Sequence, residues 1–380
     1  MTDFGFLGPA QTVFGRGSRH RAFSYAAEHA TRVIIVRGNS ASWGADLKSE
    51  LEAVSGDALE VLTQGEPTIA HLQAALEKCR PFQPECVVAV GGGSAIDLGK
   101  ALAALVPSEG DPLDHLEIVG RGLPIIHDPL PLVAVPTTSG TGAEATKNAV
   151  IAIPERGLKV SLRESRMIPR LAVVDPALTD GAPKALTLAT GLDALTQLME
   201  SYLSVRANPI TDALCRDGIP SGIFALNRLM SEDDPTARDS MALVSYLSGL
   251  ALANSGLGVV HGLAAVIGGR CGAAHGAICG RLLSSALEVN ERAVRRAGQN
   301  TGRFAQVDAW LADGFGSGMG SGYQSLRRFV DDQGLPTLAA LGCNRDDYEA
   351  IAEDALNASS TKANPVPLNL WEVVEIIDQA

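Results

Sequence analysis

Aromatic side chains are scarce in this chain, with three Trp, five Tyr and nine Phe among 380 residues. So few aromatics make a stacking platform for nucleic-acid bases an unpromising reading, and no block of Lys and Arg is present to follow a phosphate backbone. The formal net charge is −12, which argues against nucleic acid or an anionic membrane as the main partner. No apolar run approaches the roughly 18 residues that would mark a membrane span. The opening residues, MTDFGFLGPAQTVFGRGS, lack the charged segment followed by an apolar one that marks a secretory leader. The six cysteines, Cys79, Cys86, Cys215, Cys271, Cys279 and Cys343, form no C-x-x-C pair and fall mostly inside apolar segments. They read as reduced, buried thiols, and a soluble cytoplasmic protein is expected.

What is present is length and order. A chain of 380 residues exceeds the roughly 250–300 residues at which a single core usually divides, so two domains are expected. Short β-branched runs alternate with helical patterns through the first half: Arg32–Val36, Leu59–Thr63, Cys86–Val90, Leu132–Pro136, Asn148–Ile153 and Leu171–Val174. Alternation of this kind implies a parallel, Rossmann-like sheet covered by helices. Phe4–Phe14 reads as an opening hairpin or edge strand turning at Gly8-Pro9. Beyond Pro183 the texture becomes helix after helix, with breaks at Asn208-Pro209, Gly218-Ile219-Pro220, Asp234-Pro235, Gly256 and Gly268-Gly269, and a flexible connection over Gly314–Gly322. The expected organisation is a dinucleotide-binding α/β domain over residues 1–182 and an all-helical metal and substrate domain over 183–380.

The most informative stretch is CVVAVGGGSAIDLGK, Cys86–Lys100: a buried strand, a glycine turn and a helix start. Glycines at 91, 92 and 93 permit positive φ and close backbone approach, while the free N–H groups of a new helix attract an anion. A phosphate-bearing cofactor is one reading; a turn that merely packs helix on sheet is the other. The spacing matches neither of the two commonest nucleotide fingerprints. A second strand ends at Arg37-Gly38-Asn39, where dinucleotide sites often place an acid on the ribose hydroxyls. None stands here, so a 2′-phosphate is tolerated, with Arg37 a candidate partner. A third polar loop, Thr137–Gly142, follows the strand ending at Pro136.

The helical half holds other chemistry. Asp193 and Gln197 stand four apart and share a helix face, and His261 and His275 lie among apolar residues and glycines. Each histidine is either satisfied within a core or, with Asp193, part of a divalent metal site.

Taken in order, Gly91-Gly-Gly-Ser-x-x-Asp97-x-x-Lys100, Pro136-Thr-Thr-x-Gly-Thr-Gly-x-Glu144, Asp175-Pro-x-Leu-Thr179, Gly191-x-Asp193-Ala-Leu-Thr and Gly256-Leu-Gly-x-x-His261 with His275 resemble the iron-containing (group III) alcohol dehydrogenases over nearly the whole chain. The resemblance implies an N-terminal nucleotide-binding α/β domain and a C-terminal helical domain, an architecture shared with dehydroquinate synthase and glycerol dehydrogenase, with the active site in the cleft between them. It implies hydride transfer between NAD or NADP and a small alcohol and its aldehyde or ketone, in what is usually a homodimer. By the same resemblance Gly91, Gly92, Gly93, Ser94 and Asp97 would hold the pyrophosphate, and Thr137, Thr138, Thr141 and Lys159 would line the cofactor. Leu178 would lie near the nicotinamide, and Glu66 on a loop approaching the phosphates; Gly38 and Asn39 complete the cofactor set. The metal, iron or zinc, would be held by Asp193, Gln197, His261 and His275, the two histidines also serving as electrophile or proton donor. The chain departs from the family pattern at Gln197, where a histidine is usual, and at Ala265, where a further histidine is common. A lyase or cyclase of the dehydroquinate synthase kind and a nucleotide-binding homologue with impaired catalysis are the alternatives.

Overall fold

The structure, a computed structural model, describes residues 3–39, 41–54, 56–316 and 320–380. The chain divides into two compact units, Leu7–Asp180 and Gly181–Ala380, with residues 3–6 counted in the second.

The first unit runs β1 (Gln11–Phe14), α1 (His20–His29), β2 (Arg32–Gly38), α2 (Ser42–Val54), β3 (Asp57–Thr63), α3 (Ile69–Cys79), β4 (Cys86–Gly91), α4 (Gly93–Leu105), β5 (Leu132–Pro136), β6 (Asn148–Ile153), β7 (Leu158–Arg163) and β8 (Leu171–Val174). Six strands form one sheet in the order β1-β8-β5-β4-β2-β3, and every pairing in it is parallel. The period of two along each strand sends alternate side chains to opposite faces. Val33, Ile35, Val88, Val90, Val133 and Val173 enter one core, while Ile34, Val36, Val87, Ala89 and Ala134 enter the other. Burial on both faces explains the uninterrupted apolar runs of β2, β4 and β5. Each buried Val or Ile contributes roughly 1.5–3 kcal/mol.

Two expectations change here. Only Gln11–Phe14 of the opening stretch is a strand, and it pairs parallel to β8 at the sheet edge rather than folding on itself as a hairpin. β6 does not join the parallel sheet; it forms an antiparallel pair with β7. Its buried and half-buried residues alternate, as they do along β7, so periodicity alone does not tell a separate hairpin from a further parallel strand.

The second unit is helical: α5 (Lys184–Leu203), α6 (Pro209–Ser231), α7 (Pro235–Ser255), α8 (Val259–Cys271), α9 (His275–Arg296), α10 (Gly302–Phe315), α11 (Gly322–Asp332), α12 (Tyr348–Asn357) and α13 (Leu370–Asp378). Asn208 caps α6 in a reciprocal box with Thr211, and Asp234 caps α7, each ahead of a proline in the first turn. The expected breaks at Gly218-Ile219-Pro220 and Gly268-Gly269 do not occur, because α6 continues through Pro220 and α8 reaches Cys271. Gly218 and Gly222 serve packing instead: a Cβ at Gly218 would stand 2.8 Å from Leu198 Cδ1, and one at Gly222 2.8 Å from Val244 Cγ1. Of the connection expected over Gly314–Gly322, residues 317–319 lie outside the described residues. Among the described residues no single helix is long and apolar enough to cross a membrane.

Candidate functional site

In the α/β unit the sheet order reverses direction between β2 and β4, the switch point at which open parallel sheets leave a crevice for ligands. The glycine turn sits there. Gly91 has φ +155°, and a Cβ on it would lie 2.6 Å from Ala95 Cβ and 3.3 Å from the Gly38 amide nitrogen. Gly92 faces Thr138, and Gly93 faces Thr141 so closely that a Cβ would come within 2.8 Å of its methyl. The Thr137 N–H donates to the Gly91 carbonyl at 3.0 Å. The ends of β2, β4 and β5 are therefore adjacent, bringing Gly38, Gly91–Gly93, Thr137, Thr138 and Thr141 together. Asn39 lies just beyond, exposed, and Ser94 is in the first turn of α4. Among the described residues no side chain caps α4, which leaves its first N–H groups to an anion.

Other expected cofactor residues have partners of their own. Lys159 and Glu66 pair at 2.7 Å. Arg37 reaches Glu60 on β3 at 2.7 Å. Leu178 is half-buried in a short 3-10 turn, Pro176–Thr179, which is held by Asp175 as it accepts from the N–H groups of Gly17, Arg19 and Ala177. Asp97 accepts from the Val150 N–H at 3.0 Å and lies 3.6 Å from the Lys100 ammonium. It thus ties α4 to β6 beneath the turn.

Lys100 is wholly buried and donates to Thr146 Oγ1 and the Asn148 carbonyl at 2.6 and 2.9 Å. Burial pulls Lys100 down and pushes Asp97 up. Burial also pushes Glu144, 1% exposed, up to about 7 from an ordinary 4.5, against the opposing pull of its backbone and Lys100. Between those two values the unfolded chain has lost the Glu144 proton and the folded chain has kept it, so stability falls as pH rises through the window. E144Q is expected to remove that part of the slope and to gain roughly 1–3 kcal/mol over the wild type above pH 7. Chemical denaturation of both proteins across pH checks this; parallel curves would contradict it.

The helical unit assembles the second cluster from three helices. Asp193 comes from α5, His261 from the first turn of α8, and His275 and Cys279 from the first turns of α9. One ligand-type atom from each of the four lies within 4.8 Å of the others. His261 Nε2 is 3.4 Å and His275 Nε2 3.7 Å from Asp193 Oδ1, and Cys279 Sγ is 3.6 Å from His275 Nε2. Glu200, two turns along α5 from Asp193, accepts from the Val260 N–H at 2.7 Å and faces His261 Nδ1 at 2.7 Å. A carboxylate at Nδ1 makes that nitrogen the donor and leaves the Nε2 lone pair toward Asp193. Two acceptors, both buried, then face each other, and neither Asp193 Oδ1 nor His261 Nε2 has a hydrogen-bond partner among the described residues. Orphaned buried acceptors of this kind are costly unless a positive charge lies between them, either a second proton on His261 or a metal cation in its place.

The local charge agrees. Burial works to pull His261 down, but the Cys279 thiol and the Asp193 and Glu200 carboxylates hold it well above its ordinary value. His275 is raised against burial by Cys279 and Asp193. Burial alone would raise Asp193, yet His275, His261 and Cys279 keep it below the usual range. The pocket favours positive charge, and the donor set of carboxylate, two imidazoles and a thiol is that of a late first-row divalent ion.

Gln197 is buried one turn along α5 from Asp193, and its amide oxygen accepts from Ser248 Oγ on α7 at 2.7 Å. Two residues that matter here escape a reading by motif alone, Glu200 and Cys279. Their signal is spacing: Glu200 stands seven residues after Asp193 and Cys279 four after His275, so each shares a helix face with a recognised residue.

Comparison with known proteins follows the same division. Residues 9–176 match the family model described as iron-containing alcohol dehydrogenase. Residues 187–380 match that of the C-terminal part of the Fe-containing alcohol dehydrogenase family. Alcohol dehydrogenase 4 of Saccharomyces cerevisiae is 32% identical over 99% of this chain and 98% of its own. The NAD-dependent methanol dehydrogenase of Bacillus methanolicus is 28% identical over the full length of both. Among solved structures, a 1,3-propanediol oxidoreductase superposes with a TM-score of 0.86 at 28% identity, covering 100% of each chain. The alcohol dehydrogenase of Oenococcus oeni gives 0.84 at 29%, again over 100% of each. With both halves matched in order, and with the parallel sheet and helical unit built as described, the chain belongs to the iron-containing alcohol dehydrogenase family.

Proposed function

We propose that this protein interconverts a small alcohol and its aldehyde or ketone by hydride exchange with NAD or NADP, assisted by a divalent cation, iron or zinc. The observation that carries the reading is the buried pair of facing acceptors, Asp193 Oδ1 and His261 Nε2, with His275 beside them. Relatives named as alcohol, methanol and 1,3-propanediol dehydrogenases support the substrate class.

Asp193, His261 and His275 would hold the cation, which when bound would polarise a substrate carbonyl and, in the reverse direction, lower the pKa of the alcohol. The remaining work falls to the chain itself. Glu200 fixes the His261 ring and its tautomer. Burial of Asp193 and His261 keeps water from the anionic pocket and strengthens every charge interaction in it. The His275 side chain, 32% exposed, is the edge of the cluster open to a substrate oxygen. In the α/β unit, the N–H groups of the glycine turn would take the pyrophosphate, with Thr137, Thr138 and Thr141 against the nucleotide. At the β2 end Gly38 and Asn39 present no acid to repel a 2′-phosphate, so both nicotinamide cofactors are admitted. The proposed setting is a cytoplasmic homodimer, a reading that rests on the resemblance and the reduced-thiol composition.

The test is reduction of NAD and of NADP by the metal-loaded protein across a panel of small primary and secondary alcohols. Growth of reduced-nicotinamide absorbance with at least one class is expected. Silence over the whole panel with both cofactors would overturn the proposal.

A further inference from the structure

We propose that Cys279, and not Gln197, completes the metal site, so that the centre is an Asp-His-His-Cys set that selects zinc over iron(II). The inference rests on the metal reading of the cluster above and concerns the chemistry of its fourth position. Ligands bound at 2.0–2.3 Å around one tetrahedral zinc stand about 3.3–3.6 Å from each other. Three of the six separations in this cluster are 3.4, 3.6 and 3.7 Å, the one between Cys279 Sγ and His275 Nε2 among them, and all four atoms lie within 4.8 Å of one another. The thiol is thus within reach of an ion shared with Asp193, His261 and His275.

Gln197 offers a weaker case. Its oxygen is the only amide atom able to ligate, and one of its two lone pairs is drawn toward α7 by Ser248 Oγ, which donates to it at 2.7 Å. An amide is also a neutral, hard donor, a poor substitute for imidazole toward late first-row ions. Cys279 supplies what the sequence removes at 197. It is wholly buried, it lies one helical turn beyond His275, and it brings a soft donor to a pocket in which Asp193 Oδ1 and His261 Nε2 have no hydrogen-bond partner among the described residues. On binding, the S–H bond breaks, the proton leaves to solvent and the sulfur lone pair forms the bond to the metal; no redox change occurs. One thiolate and one carboxylate then neutralise the double positive charge. A softer set shifts preference from iron toward zinc.

The experiment loads the full-length protein with cobalt(II), whose bond to a thiolate gives a charge-transfer band in the near ultraviolet. The wild type is expected to show the band at one metal per chain, C279S to lose it with a fall in retained zinc, and Q197A to keep both. As a measurement that needs no variant, alkylation of Cys279, followed by peptide mass spectrometry, is expected to slow when zinc is added. A wild type that binds one cobalt without the band and with Cys279 still alkylated would overturn the proposal, as would a Q197A that loses metal while C279S retains it. A protein that takes up no metal under any loading would instead overturn the metal reading itself, and this inference with it.

Discussion

The D193N variant is expected to lose roughly 100- to 1,000-fold in kcat/KM with its fold intact, because a positioned divalent cation supplies several kcal/mol of charge stabilisation and each 1.36 kcal/mol is tenfold in rate. Asp193 sits where three helices meet, 2% exposed, with His261 at 3.4 Å and His275 at 3.7 Å from the same oxygen. Asparagine keeps the shape and removes the anionic charge that, in the proposed function, would hold the ion. Metal content should fall with activity. E200Q offers a graded comparison, since it removes none of the four cluster residues and weakens the grip of Glu200 on His261 Nδ1 and on the N–H groups that open α8. Loss of such an outer partner typically costs about 10- to 100-fold in metal affinity or activity. Steady-state kinetics with metal analysis on both variants check this, and a D193N that keeps wild-type kcat/KM would remove the carboxylate from the account.

The second large effect comes from a methyl group. A Cβ added at Gly276 would lie 2.2 Å from the Ala189 carbonyl oxygen and 3.2 Å from Asp193 Cβ. Gly276 follows His275 at the start of α9, and Ala189 is backbone of α5, so neither side can yield by rotating a side chain. G276A must move the start of α9 away from α5. That carries His275 and Cys279 away from Asp193, and a displacement of about 1 Å at a reacting centre can cost roughly 100-fold in rate. Overpacking of this kind also costs about 1–3 kcal/mol of stability. Thermal unfolding together with retained metal measures both; a variant with unchanged melting and full metal would show that the helix contact is not what holds the cluster.

These positions also show where the sequence could be read and where it could not. The β4 strand and its glycine turn are legible because a strand buried on both faces must be apolar without interruption, and only glycine permits the close approach of Gly91 to Gly38. Starts of α6 and α7 are legible because Asn208 and Asp234 each cap a helix whose first turn holds a proline. Gly218, Gly222 and Pro220 mislead, since the same residues that end helices also let helices touch. The β6–β7 pair misleads because strand partners are not encoded in period-two alternation. At the site, Asp193, His261 and His275 are visible as residue types, and the structure brings them together. Gln197 is equally visible by position, yet its oxygen is bonded to Ser248 on another helix. Glu200 and Cys279 gain meaning only when α5, α8 and α9 come together, because their roles are relations between helices rather than motifs along one.

The most direct test compares one protein in two states. Aldehyde-dependent oxidation of NADH and NADPH would be followed with enzyme stripped by a chelator and then reloaded with zinc or iron(II). Turnover is expected to be lost on stripping and restored by one equivalent of a single ion. Undiminished turnover by protein verified to be free of metal would contradict the metal-assisted reading.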